Sequence, residues 1–284
     1  MVIRKNQLKK KIPKILITGN SGYIGSHLSK ILKDDYSIFG LDICDPIIVA
    51  KKHYCINIIN DLSIQEEFDC VIHLAGKVSV NESVTNPILY YRTNVEGTIN
   101  VLTKIKTKSF ILASTGSAEY LNNPYAISKK MAEDVTIQYC RTNQIPYTIF
   151  RFYNVIGRDC RDPTNPDGLL WNLISAKTSG IFKLYGTDYD TKDGTAVRDY
   201  VHVNEICYSI KKAIDNHSNK IENLGHGIGY TVREIVDLFK KVNKCEFDVI
   251  SYNRREGDLE ESVLKDISKY MTKLYGIERY LYTP

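Results

Sequence analysis

The sequence predicts an α/β fold: a doubly wound parallel sheet with a smaller mixed α/β unit appended. Three observations carry this. Over residues 14–151, short apolar runs alternate with longer amphipathic ones, the pattern of βαβ units whose strands are covered on both faces. After residue 154 the texture changes, because 158–168 is rich in Asp, Pro, Asn and Gly and the elements beyond it are shorter. Finally, 284 residues with 43% hydrophobic and 25% charged side chains suit two ordinary globular units and exclude disorder, collagen and coiled coil.

Element by element, residues 14–18 read as a buried strand ending at glycines, and 23–33 has helical spacing. Residues 36–41 form a second strand, 54–58 a weaker third and 70–74 a fourth. A helical stretch over 87–106 precedes a strand at 110–113, a helix at 125–141 and a strand at 147–151. The second half offers a helix near 169–178, a strand at 181–185, and helices at 204–216 and 231–242. This divides the chain into a lead-in tail (1–13), a first domain (14–154, rejoined by 199–216) and a second domain (155–284).

The formal charge of +5 is local. Residues 1–14 hold Arg4, Lys5, Lys9, Lys10, Lys11 and Lys14 and no acid, and the remaining 32 bases face 33 acids. A near-neutral body gives no reason to expect nucleic acid. The apolar run after the tail stops at Gly19, short of the roughly 7–15 residues of a signal peptide or the roughly 20 of a membrane span. No membrane partner is expected. Seven cysteines, odd in number and never spaced Cys-x-x-Cys, read as reduced thiols of a cytoplasmic protein. His53 and Cys55 are an isolated pair, so no metal site is expected.

Gly19, Gly22 and Gly25 sit between the first strand and the first helix. The first permits a tight turn, the second a close backbone approach to a pyrophosphate, and the third close helix–strand packing. Turns use glycine anyway, and Asp42 beside Asp45 and Pro46 could be an ordinary strand-end residue. Context favours the sharper reading: Asp42 ends the second strand about 20 residues on, where a carboxylate accepts from a ribose hydroxyl. The first domain is therefore Rossmann-like. Asp42 repels a 2′-phosphate, which selects NAD over NADP.

Tyr125 and Lys129 lie four apart on a helix and share a face. An adjacent ammonium favours the phenolate, giving a base that takes a proton from a hydroxyl while hydride leaves the same carbon. Alone, this pair is common surface-helix chemistry. It gains meaning beside the glycine loop and the hydroxyls Ser114 and Thr115 that end the preceding strand.

Here the chain resembles the extended short-chain dehydrogenase/reductase family, and within it the UDP-hexose 4-epimerases. Segments 18–27 (TGNSGYIGSH), 71–76 (VIHLAG) and 90–98 (YYRTNVEGT) are shared by many nucleotide-sugar enzymes. Segments 186–203 (GTDYDTKDGTAVRDYVHV) and 254–258 (RREGD) look like the epimerases' own signatures. The resemblance implies NAD-dependent epimerisation at carbon 4 of a UDP-hexose through a transient 4-keto sugar, in a homodimer. Ser21, Tyr23 and Ile24 would join the three glycines and Asp42 in holding NAD. Asp61 and Leu62 would border its adenine, Ala75 and Gly76 its diphosphate and ribose, with Asn94 near the same cofactor. Tyr125 would be the base, Lys129 its partner and Thr115 the bridging hydroxyl. Asn154 and Asn172 would bind the substrate's phosphate and sugar, Arg198 and Arg255 its diphosphate, and Asp258 its ribose. Ser262 would lie beside the sugar's carbon-2 substituent, where a small residue admits an N-acetyl group. The dimer would pair the helices carrying Ile88, Val95, Ile99 and Leu102 with those carrying Met131, Val135 and Tyr139.

Two departures stand out. Only ten positions separate Thr115 from Tyr125, against some two dozen in the family. Where the family often has a cofactor-contacting lysine two residues after its Ala-Gly, this chain has Val78, with Lys77 one place earlier. Alternatives are a reductase, dehydratase or decarboxylase on the same scaffold, or an inactive NAD- or nucleotide-sugar-binding protein. A 4,6-dehydratase normally has Asp-Glu after its threonine, where Gly116 and Ser117 stand.

Overall fold

Seven parallel strands form the centre of the computed structural model, which describes residues 12–283. The basic lead-in falls outside the described residues except for its last two positions. The strands are β1 (Lys14–Thr18), β2 (Ser37–Asp42), β3 (Lys52–Cys55), β5 (Cys70–His73), β7 (Phe110–Thr115), β8 (Tyr147–Phe152) and β12 (Ile221–Leu224), in the spatial order β12-β8-β7-β5-β1-β2-β3. Two two-residue strands, β4 (Glu67–Phe68) and β6 (Lys106–Thr107), pair beside them. The order runs outward in both directions from β1. The switch point between β1 and β5 therefore opens a crevice at the strands' carboxyl ends.

One face of the sheet is covered by α1 (Tyr23–Leu32) and α7 (Val203–Ile214), with Leu28, Leu32, Ile206 and Ile210 in its core. The other is covered by α4 (Gly97–Lys104) and α5 (Pro124–Thr142), through Val101, Leu102, Ala132 and Cys140. Full cover on both faces is why the central strands β1, β5, β7 and β8 are almost wholly buried. The expected helical stretch over 87–106 is present without a gap as α3 (Pro87–Tyr90), a π-helical turn (Tyr91–Glu96) and α4, preceded by α2 (Val80–Thr85). The third strand also lies earlier than expected, because the chain leaves the sheet at Cys55 and 56–59 pass along the crevice.

The second half forms two small sheets. Strand β11 (Val197–His202) pairs with β9 (Asn154–Ile156), β13 (Gly229–Thr231) and β15 (Glu261–Ser262), while β10 (Ile181–Tyr185) pairs with β14 (Asp248–Tyr252). Helices α6 (Leu169–Ser179), α8 (Val232–Asn243) and α9 (Ile277–Leu281) enclose a third core around Leu173, Phe182 and Phe239. The chain crosses back to the first half through α7 and then β12, which extends the return beyond the expected 199–216.

Candidate active site

A cleft of about 830 Å³ lies between the two halves at the carboxyl ends of β1, β2, β5, β7 and β8. Gly19 turns with φ +74°, and a Cβ there would stand 2.8 Å from the Ala75 nitrogen. A Cβ on Gly25 would lie 2.1 Å from the Gly19 oxygen, so the helix approaches the turn as closely as backbone allows. Gly22 is the N-cap of α1, no side chain caps it, and no acid lies in the first turn. The helix thus offers its opening amides and positive dipole end to the cleft, as a dinucleotide diphosphate requires. Asp42 is fixed at the wall: its carboxylate accepts from the N–H groups of Ser21 at 2.9 Å, Ile43 at 2.7 Å and Cys44 at 3.2 Å. These residues fit NAD.

One expected contact is corrected. Leu62 is buried in the core and Asp61 is exposed, accepting from the Ser63 hydroxyl at 2.6 Å. Because the strand ends early, Asn57 and Ile58 reach the cleft in their place. Asn94, expected near the cofactor, stands directly behind Gly76 and Lys77 in the cleft wall. Its amide accepts from the Lys77 N–H at 2.8 Å and donates to the Lys77 carbonyl at 3.0 Å and the Ser128 hydroxyl at 2.9 Å, which fixes the loop after Gly76. The Lys77 ammonium is occupied by Glu82 at 3.0 Å.

Thr115 ends β7, and Tyr125 opens α5 behind the Asn123 cap and Pro124. Burial raises the Tyr125 phenol above its ordinary pKa, and its hydrogen bond with Thr115 pulls the other way. The expected lowering by Lys129 is thus not what dominates. Lys129 is itself buried, facing Gly76 and Glu133, and burial brings its pKa down to about 8 against the pull of Glu133. Among the nearby hydroxyls, Ser114 is committed to Glu133 at 2.6 Å. Thr115 is the hydroxyl that bonds Tyr125.

Across the cleft, Asn154, Asn172, Arg198, Arg255 and Asp258 all line the wall. Asn172 donates to the Pro166 and Gly168 carbonyls. Arg198 donates to the Leu259 carbonyl at 2.7 Å and stands 3.9 Å from Asp258, and Arg255 stacks on Tyr185 at 4.1 Å. Burial raises the Asp258 carboxyl, opposed by Arg198 and Arg255. Ser262 is a correction: it is buried in β15, registered against Arg198, and is not among the lining residues. Sequence reasoning missed Arg161, Asp167 and Tyr185, which do line the cleft. Only Tyr185 left a signal, ending a strand immediately before segment 186–203.

A tyrosine and lysine one helical turn apart, facing a dinucleotide cradle across a parallel sheet, define a nicotinamide-dependent enzyme of the extended short-chain dehydrogenase/reductase class. Residues 15–225 match the NAD dependent epimerase/dehydratase family, and the chain belongs to that family. It is 32% identical to the UDP-glucose 4-epimerase of Pasteurella multocida, covering 86% of this chain and 87% of that protein. Among solved structures it is similar to UDP-glucose 4-epimerase from Bifidobacterium longum in complex with NAD+ and UDP. That match has 25% identity, 94% and 96% coverage and a TM-score of 0.86. It is also similar to the UDP-Glc/GlcNAc 4-epimerase of Campylobacter jejuni, at 29% identity, 95% and 98% coverage and a TM-score of 0.74.

Proposed function

We infer that the chain is an NAD-dependent epimerase acting at carbon 4 of UDP-hexoses, interconverting UDP-glucose and UDP-galactose. One observation carries the reading: a single cleft holds the glycine cradle at one end, the Arg198, Arg255 and Asp258 set at the other, and the Thr115–Tyr125 pair. The loop 19–25, Asp42, Ala75 and Gly76 would hold NAD, which would supply a reversible hydride acceptor for carbon 4 of the sugar. The two guanidinium groups bind the substrate diphosphate, and the Asp258 carboxylate takes the uridine ribose diol. Asn154 and Asn172 offer amides to the phosphate and sugar. Tyr125 removes the proton of the 4-hydroxyl and later returns it, with Thr115 sharing the hydrogen bond and Lys129 supplying positive charge beside them. Holding UDP remotely spends binding energy on placement while the hexose stays free to present either face.

The N-acetylated UDP-hexoses belong to the same proposal. A similar solved enzyme is named for both sugars. The enzyme acts in a reducing cytoplasm as a homodimer with an NAD domain of 14–154 completed by the return through β12. All seven cysteines are free, and no helix among the described residues is long and apolar enough to cross a membrane. Incubation with UDP-galactose, or with UDP-N-acetylglucosamine, followed by chromatography of the nucleotide sugars tests the reading. Appearance of the 4-epimer is expected, and recovery of the starting sugar alone defeats it.

A further inference from the structure

Residues 157–168 bring a part of the second half of the molecule against the glycine loop of the first. The Tyr23 phenol donates to the Gly157 carbonyl at 2.5 Å, and the N–H groups of Asp159 and Cys160 donate to His27 Nε2 at 3.1 and 3.2 Å. With its start held this way, the loop carries Arg161 over the glycine turn. The guanidinium donates from Nη1 to the Ser21 carbonyl, and the side chain lines the cleft with Ser21, Gly22 and Tyr23.

The other cleft cations have different commitments. Lys77 bonds Glu82, Lys129 stands behind Gly76, and Arg198 and Arg255 flank Asp258 at the far end. Lys183 belongs to β10 in the second half. In the loop itself Arg158 pairs with Asp162, and Asp159 with Arg279. Arg161 pairs with no carboxylate among the described residues. A nucleotide diphosphate brings two negative charges to the start of α1, where the helix dipole offers only about half a positive charge. A guanidinium fork with free donors supplies the remainder in the geometry phosphate oxygens accept.

We propose that Arg161 is a cofactor-binding residue, contacting the diphosphate of NAD from the opposite half of the molecule. This rests on the reading of the cleft as an NAD site. The test uses full-length protein stripped of nucleotide, titrated calorimetrically with NAD, ADP and adenosine. Wild type is compared with Arg161→Gln and Arg161→Lys, and the unfolding midpoint of each ligand-free protein is recorded. In Arg161→Gln, affinity for NAD and ADP falls about 10- to 100-fold, as expected for one lost charge-assisted contact. Adenosine affinity and the ligand-free midpoint stay unchanged, and Arg161→Lys recovers part of the loss. Equal weakening of ADP and adenosine, or a lowered midpoint with ADP affinity intact, would mean that Arg161 only braces the loop, and either overturns the proposal. Wild-type protein that binds neither NAD nor ADP would instead overturn the reading of the cleft, and the proposal with it.

Discussion

An ammonium is poorly placed at Lys129. The side chain is 7% exposed and its pKa is brought down to about 8, because burial disfavours the charged form more than Glu133 favours it. Between about pH 8 and the ordinary lysine value near 10.5, the unfolded chain binds the proton that the folded chain has released. Folding stability contributed by this group therefore rises with pH across that window, and below it the full cost remains, roughly 3 kcal/mol. Lys129→Met is expected to be more stable than wild type at pH 7 by up to that amount, with the difference closing as pH rises from 8 to 10.5. Urea unfolding of both proteins at several pH values reads this directly, and a constant gap would contradict it. The same substitution is expected to abolish epimerisation, a trade of stability for function. Tyr125→Phe removes one proton acceptor and little volume, so it should eliminate turnover by at least about 10²-fold while NAD remains bound. Near-normal turnover would refute the base assignment. At this scale the gathering of Gly19, Gly22, Gly25, Asp42, Tyr125 and Lys129 around one cleft was legible, since each residue type is demanded by backbone geometry or by a titrating group. Asp61, Leu62 and Ser262 were misread because their positions depend on where a short strand ends or pairs, which residue type does not encode.

Helix α5 shows how one element aligns the chemistry. Tyr125, Lys129 and Glu133 repeat every four residues and share one face. The last of them is fully buried, accepting from Arg151 Nε at 2.8 Å, Arg151 Nη2 at 2.7 Å and the Ser114 hydroxyl at 2.6 Å. These bonds tie the helix to β7 and β8 on the face that carries Tyr125 and Lys129. Removing one partner leaves an uncompensated buried charge, so Arg151→Met should cost about 3–5 kcal/mol in urea unfolding. The double change with Glu133→Leu should cost less than the single one. A larger loss in the double variant would show that the residues act independently of one another. Long buried strands and α1, α5, α6, α7 and α8 were readable from periodicity, but β9, β11, β13 and β15 were not. These strands have two to six residues and alternate only weakly. β12 was hidden because Glu222 and Asn223 interrupt its apolar pattern, although Glu222 is buried and accepts from the Ser268 hydroxyl at 2.9 Å. The π turn inside the helical stretch 87–104 carries no periodic signal either. It places Asn94 where its amide can hold the loop after Gly76.

For the whole molecule, assembly turns on which apolar side chains the fold uses internally. Val95 and Leu102, expected at a dimer contact, are buried against the protein's own sheet or neighbouring helices and cannot contribute. Ile88, Ile99 and Met131 remain 64%, 40% and 43% exposed on the α3, α4 and α5 layer. Val135 and Tyr139 continue this surface along α5, bordering a shallow groove with Gln138 and Thr142. Solvating a set of large apolar side chains on one helical layer is unfavourable, and a two-fold axis beside it would let the same patch cover itself. A stable contact of this kind needs about 800 Å² from each protomer, which two helices can supply. Light scattering at micromolar concentration is therefore expected to give twice the chain mass. Combining Ile99→Glu with Met131→Glu should return the mass to that of a single chain. Both sites are remote from the cleft lining, so NAD content and the unfolding midpoint of the separated protomer should change far less than the mass. A wild-type monomer, or a charged double variant that stays dimeric, would place any self-association on a different face.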